Sequence, residues 1–290
     1  MNDSGTNTKR SGGLWSDAWK RLRKNHAAMF GLVILAIFAF AAIFADVVAP
    51  HHYAQQHLDN VFEFPNRTFW LGTDNTGRCV FSRIIYGSRI SLQVGFISVG
   101  ISLFAGGGLG VIAGFYGGHI DNYIMRFMDV LLAIPTMLLA IVIASTLGPG
   151  LGNLMLAVGI SAVPGFARIV RASILSIKEM EFVEAARLAG CSDRRIMLRH
   201  LMPNILAPII VQITLGLALA ILNASSLSFL GLGMQPPTPE WGAMLSAGRA
   251  FIRQFWHLTA FPGIAITIVI LAFNMLGDGL RDAMDPRLKT

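Results

Sequence analysis

The sequence predicts an all-α polytopic membrane protein with about six transmembrane helices, and three observations carry that prediction. Of the 290 residues, 54% are hydrophobic and only 13% charged, against about 25% charged in a soluble domain. Apolar stretches long enough to cross ~30 Å of hydrocarbon, roughly 20 helical residues, recur along the whole chain. The runs are continuous rather than alternating at period two, which argues against transmembrane barrel strands.

The first span is expected over 27–49, ended by Pro50-His51-His52. Three more are expected over Ser91 to Tyr116, Ile124 to Leu147 and Leu151 to Ile174, then a polar stretch, then Ile205 to Leu232 and His257 to Leu280. Pro135, Pro164 and Pro262 fall in or beside spans, where neighbouring helices re-satisfy freed backbone groups. A cleaved leader is the rival reading of the first span, but the run exceeds the roughly 7–15 apolar residues of such a leader.

Lysine and arginine set the orientation. An inward N-terminus places 17 of them on the cytoplasmic side, counting Lys9, Arg10, Lys20, Arg21, Arg23, Lys24, Arg126, the seven from Arg168 to Arg199, Arg281, Arg287 and Lys289, and leaves six outside. That asymmetry is the positive-inside pattern, and six spans return the C-terminus to the cytoplasm. The net charge of +7 is thereby accounted for. The basic residues form no single face and accompany no nucleic-acid motif, so no nucleic-acid partner is expected. Cys79 and Cys191 fall on opposite sides of this topology and at no metal-site spacing.

Gly106, Gly110, Gly114 and Gly118 recur every four residues on one helix face. Small residues at this spacing let helix backbones approach closely in lipid. We expect Gly106, Gly110 and Gly114 to pack, inside the subunit or against a partner, with Gly117-Gly118 opening a turn. Ahead of them, Thr76 to Arg89 is amphipathic and can lie in the interface plane with its arginines toward headgroups, though an ordinary structural segment is the favoured reading. A pairing of Asp74 with Arg78 there would contribute only about 0.3 kcal/mol on an exposed helix. Arg168 and Arg171 are expected to snorkel, and Asp278, Arg281 and Asp282 are spaced for ion pairs. In the fifth span Asn223, Ser225, Ser226 and Ser228 either line a translocation path or serve as interhelical hydrogen-bond glue. Pro236 to Trp241 either contacts an external partner or folds back over the pore. His51, His52 and His57 lack a metal-binding frame and read as an ordinary loop.

The most informative stretch is the polar one between the fourth and fifth spans. Glu181 to Ala189 is rich in helix formers, Gly190 can take the left-handed conformation that ends a helix, Ser192 or Asp193 can cap a second one, and Pro203 is expected to break it. This is a helix-turn-helix elbow on the membrane surface. Ala185 and Ala186 leave a face flat enough for another protein, while Glu184 and Arg187 either grip that partner or are solvated.

Glu184-Ala185-Ala186 followed by Gly190 resembles the cytoplasmic loop of bacterial ABC importer membrane subunits. Leu71-Gly72-Thr73-Asp74, Arg199-His200, Pro203-Asn204, Ser228 to Gly233, Pro236 to Gly242, Gly277 to Asp282 and Asp285-Pro286 narrow the resemblance to the dipeptide, oligopeptide and nickel class, and to the second, C-type permease of its pair. His200 and Met202 replace an isoleucine and a leucine of the broad motif, and Cys79 and Met234 stand where the class commonly has Asp and Ala.

The resemblance implies the type I ABC importer transmembrane fold. It gives a cytoplasmic tail over 1–26, a first helix over 27–49, a periplasmic segment over 50–86 and a core over 87–282. The core holds a coupling loop at 175–204, and a cytoplasmic tail occupies 283–290. It further implies a bacterial inner membrane location, a homologous permease partner, one or two cytoplasmic ATPase subunits docked on Glu181, Glu184, Ala185, Ala186, Arg187 and Gly190, and an external solute-binding protein. No cofactor is expected on this chain, with ATP and Mg on the ATPases. The residues agree, because a P-loop needs Gly-Lys before Ser or Thr and no lysine here follows a glycine. The alternative, a secondary transporter, needs ionisable residues at mid-span, and the centres of the first five spans lack Asp, Glu and Lys.

Overall fold

The computed structural model describes residues 14–284. Lys9, Arg10, Asp285, Pro286, Arg287 and Lys289 lie outside the described residues. A short α1 (Leu14–Leu22) leads into α2 (His26–Ile43), whose first turn is capped by Asn25 Oδ1 accepting from the Ala28 amide at 3.1 Å. After α3 (Ala45–Val48) and an outer loop come α4 (Val80–Ser102) and α5 (Gly108–Tyr116), joined without a stop by a π turn at Leu103–Gly107. Then follow α6 (Gly118–Leu132), α7 (Thr136–Leu147), α8 (Leu151–Ile177), α9 (Glu181–Leu188) and α10 (Asp193–Arg195). Finally come α11 (Leu206–Phe229), α12 (Trp241–Gly248) and α13 (His257–Met284).

Five continuous helical runs are long and apolar enough to span a bilayer, and the α6–α7 pair, bent by 86°, makes a sixth if the two helices are counted as one span. The bend corrects the straight third span expected over Ile124 to Leu147. Pro135 cannot donate within a helix, and it biases Ile134 away from helical dihedrals. The second span is corrected too, because Val80–Tyr116 is one run of 37 residues. Thr76 to Arg89 therefore does not lie flat on the interface. Arg78 and Arg83 are buried at 7% and 5% exposure, with protein carbonyls and Asp74 in place of lipid headgroups. Nor does Pro203 break the second helix of the elbow away from the fifth span. A π turn at Ile196–Leu201 and a 3-10 turn at Met202–Ile205 absorb it, and the run Asp193–Phe229 continues through.

The core is built from α4, α8, α11 and α13, with α2 laid against α13. Phe30, Ile37, Phe40, Phe104, Leu138 and Val142 point outward, as suits helices solvated by hydrocarbon. Close approach at two seams is set by glycine. A Cβ at Gly31 would come within 2.6 Å of the Ala272 carbonyl on α13. A Cβ at Gly106 would meet the Val163 carbonyl, one at Gly110 would stand 2.5 Å from the Ala167 carbonyl, and one at Gly114 would stand 2.8 Å from Ile174 Cβ. The glycine stripe thus lies against α8 of the same subunit.

The ends of α8 and α13 and the start of α2 share one side of the bundle. Leu22, Ala28 and Ala283 cluster there, and Ser176, Asn204, Arg281 and Met284 border one groove. The outer loop and α12 occupy the opposite side.

Candidate functional site

The elbow is positioned from below. On α9, Val183 and Ala186 are buried against Phe115, Ile174, Ile196 and Leu201, while Glu181, Glu184, Ala185 and Leu188 face out. The two alanines therefore do not share one flat face, because residues one apart on a helix diverge by about 100°. Ala186 belongs to the core and Ala185 to the surface. Leu188 is 85% exposed, an apolar side chain presented beyond the membrane spans. Arg187 turns back, its guanidinium 5.5 Å from the Phe115 ring centroid. Gly190 has φ of +75°, and the turn closes through Gly190 N–H to Arg187 O at 2.9 Å and Cys191 N–H to Ala186 O at 3.1 Å. Ser192 occupies the N-cap position of α10 without a side-chain cap, its carbonyl accepting from Ile196 N–H instead.

Within the bundle, a cavity of about 160 Å³ is bordered by Ser98, Ser102, Thr136, Ser161, Gln212 and Asn223. The serine hydroxyls donate to backbone carbonyls: Ser98 to Met155, Ser102 to Ser98 and Ser161 to Val158. The amides of Gln212 and Asn223 make no side-chain hydrogen bond among the described residues, so they remain free for an occupant. They stand eleven residues apart, three turns on one face of α11. Of the four polar residues singled out in this span, Asn223 borders the cavity. Ser226 donates to Leu222 O at 2.8 Å, and Ser225 and Ser228 are buried toward α12, where Gly242 and Gly233 pack on them. Gln212 belongs to no motif in the sequence; its one signal there is the eleven-residue offset from Asn223.

Arg168 and Arg171 pair with the neighbouring helix α6. Arg168 Nη2 lies 2.8 Å from Asp129 Oδ1, and Arg171 forms a two-pronged pair with Asp121 at 2.5 and 2.6 Å. Asp278, Arg281 and Asp282, by contrast, enter no ion pair among the described residues.

The outer cap locks α12 into the bundle. Asp74 and Arg78 pair at 2.7 Å in a buried turn, not on an exposed helix. Arg83 donates to the carbonyls of Pro237 at 3.0 Å and Tyr53 at 3.3 Å. Trp241 donates to Ile84 O at 3.1 Å, so the segment leading into α12 is anchored on α4. His51 and His57 stand with ring centroids 5.1 Å apart beside Phe69, and among the described residues no group of three or more His, Cys, Asp or Glu is placed to hold a metal ion.

Glu240 caps α12, accepting from the Gly242 and Ala243 amides at 2.9 and 2.8 Å. Burial nevertheless pushes its carboxyl above the usual range, outweighing those amide bonds. A carboxyl that binds its proton more tightly when folded takes one up on folding, so stability falls as pH rises from the unfolded pKa through the folded one. Thermal melts of the purified protein from mildly acidic to alkaline pH should show this fall. Glu240→Gln should flatten it, and an unchanged slope in that variant would remove Glu240 as its source.

A model of the binding-protein-dependent transport system inner membrane component family matches residues 106–290, and a model of the N-terminal transmembrane domain of oligopeptide transport permease C matches residues 13–65. The chain belongs to this permease family. It is 49% identical over 276 residues, covering 95% of this chain and 91% of the relative, to a dipeptide transport system permease of Alkalihalophilus pseudofirmus. It is 44% identical to a di/tripeptide transport system permease of Pseudomonas aeruginosa, covering 93% and 91%. It is also 45% identical to a glutathione transport system permease of Escherichia coli, covering 95% and 91%. The fold is shared with the inward-facing MetNI methionine ABC transporter, at a TM-score of 0.59 and 17% identity over 70% of this chain and 96% of the other. The permease is thus the C-type, non-catalytic membrane subunit of an ABC importer. In general terms, such a subunit works with a second permease, an ATPase and a binding protein.

Proposed function

We propose that this permease imports di- or oligopeptides across the bacterial inner membrane, with both termini cytoplasmic, as one half of a heterodimer with a homologous permease. ATP and Mg act on separate ATPase subunits that dock on the α9 elbow. Similarity to peptide and glutathione permeases supports the substrate class. Gln212 and Asn223, the two free amides on the inner face of α11, support a path along the 160 Å³ cavity that can exchange hydrogen bonds with a peptide backbone.

The observation that carries the coupling role is the division of α9. Val183 and Ala186 fix it to the bundle, while Glu181, Glu184, Ala185 and the 85% exposed Leu188 are left for a partner. ATP-driven closure of the ATPases would then pull a rigid element rather than a loop. The test is peptide uptake and ATPase activity of the co-expressed complex in vesicles, with Glu184→Lys and Gly190→Asp. A side chain at Gly190 meets no neighbour but strains a backbone at φ of +75°. Both variants are expected to insert, to assemble with the second permease and to lose substrate-stimulated hydrolysis and uptake. Uptake at the wild-type rate in both would overturn the coupling assignment.

A further inference from the structure

Two oppositely charged side chains lie exposed within helices that qualify as candidate membrane spans. Arg168 and Asp129, paired at 2.8 Å, keep 57% and 52% of their side-chain surface uncovered. Arg168 stands nine residues before the end of α8, about 13 Å along the axis, inside a helix of 27 residues. Charged groups at that depth are costly against hydrocarbon and face a bundle interior or an aqueous cavity. This subunit leaves both side chains uncovered.

The surroundings show what the pair faces. On α8, Ser161, Gly165, Arg168 and Ala172 follow one another at helical spacing along one face. Ser161 and Gly165 border the membrane cavity, and Ala172 borders the large groove that opens beside Asn204 and Arg281. Gln212 borders both hollows. On α6, Leu132 borders the cavity and Asp129 itself borders a third hollow shared with Asp121 and Arg171. Arg168 therefore stands on the α8 face between Gly165, which borders the cavity, and Ala172, which borders the groove, with Asp129 opposite it. We propose that Arg168 and Asp129 are the substrate-contacting charges of the translocation path. The guanidinium receives the carboxylate of a passing zwitterionic peptide and the Asp129 carboxylate its ammonium, and the two re-pair once the peptide has left. The proposal rests on the peptide-import reading above. It adds that recognition within the membrane is of free termini, which every unblocked peptide carries, so the path accepts varied side chains.

The experiment uses the full complex in proteoliposomes with its binding protein and a labelled dipeptide, reading uptake per ATP hydrolysed. Peptide-stimulated hydrolysis by the wild-type complex comes first. If no peptide stimulates it, the peptide reading fails, whatever the pair does. Asp129→Asn and Arg168→Gln are each expected to assemble and to lower uptake per ATP about tenfold, the equivalent of one charge-assisted hydrogen bond. Arg89→Gln, which removes the Asp46 pair outside the groove, should leave it unchanged. A second arm keeps the ion pair intact. Ala172→Cys, with Cys79 and Cys191 replaced by serine, is expected to react with a membrane-impermeant thiol reagent from the cytoplasmic side and to be shielded during peptide turnover. Wild-type coupling in the double variant Asp129→Asn/Arg168→Gln overturns the proposal. So does loss of assembly in both single variants, which makes the pair a brace between subunits, or an Ala172→Cys thiol that peptide never shields.

Discussion

Replacing Trp241 with alanine is expected to lower the melting temperature of the purified complex more than any other single truncation in the outer cap. The indole is fully buried, with 0% exposure. It meets Phe38 edge-on with ring centroids 5.6 Å apart, and a Cβ at Gly87 would come within 2.8 Å of its ring, so the ring fills its site. Removing a buried aromatic costs about 3–5 kcal/mol. The Ile84 carbonyl, inside α4, would lose the indole N–H it accepts at 3.1 Å, a net hydrogen bond of about 0.5–1.5 kcal/mol. Trp241→Phe separates the two effects, keeping most of the apolar volume and losing the donor, and should melt between wild type and Trp241→Ala. If Trp241→Ala melts with the wild type, α12 is held by something other than this ring.

That anchor illustrates which parts of the molecule are legible in the sequence. The spans are, because length and apolarity are local properties, and the run over His26–Ile43 needs no knowledge of its neighbours. Burial of charge is not. Arg83 reads as an interfacial arginine until Pro237, 154 positions away, supplies the carbonyl it donates to. The same holds for Arg168, whose partner Asp129 lies on another helix 39 residues upstream. Pro135 and Pro203 show a different limit. Both remove a backbone donor, yet one ends in an 86° bend and the other is absorbed by π and 3-10 turns. Tertiary packing around each proline chooses between those outcomes, and no local pattern records that choice. At the elbow the helix, the turn and Gly190 follow from propensity. The phase of the helix does not, because only Phe115 and Ile196 beneath it fix Ala186 inward and Ala185 outward.

That phase gives the second large effect, a contrast between two substitutions two residues apart. Leu188→Asp should leave the membrane bundle intact, since Leu188 is 85% exposed and contributes no packing, while abolishing retention of the ATPase during purification. Burying a leucine in a partner contributes about 1.5–3 kcal/mol, roughly one to two powers of ten in affinity, and the new carboxylate must also be desolvated. Ala186→Asp should act by another route. It places an unpaired carboxylate among Phe115, Val183 and Ile196, at a cost of several kcal/mol, so the elbow itself should loosen. Hydrogen exchange over residues 181–202 distinguishes the two. Exchange should be unchanged in detergent-purified Leu188→Asp and faster in Ala186→Asp, with ATPase lost from both. Were Leu188→Asp to retain its ATPase at wild-type stoichiometry, the docking surface would lie off the outer face of α9. The inward phase of Ala186 would still be tested by the exchange arm alone. The coupling role proposed for α9 makes two demands at once, an inner face packed firmly enough to transmit force and an outer face left apolar enough to be gripped. The alternation of Val183 and Ala186 with Glu184 and Leu188 places both faces on one eight-residue helix.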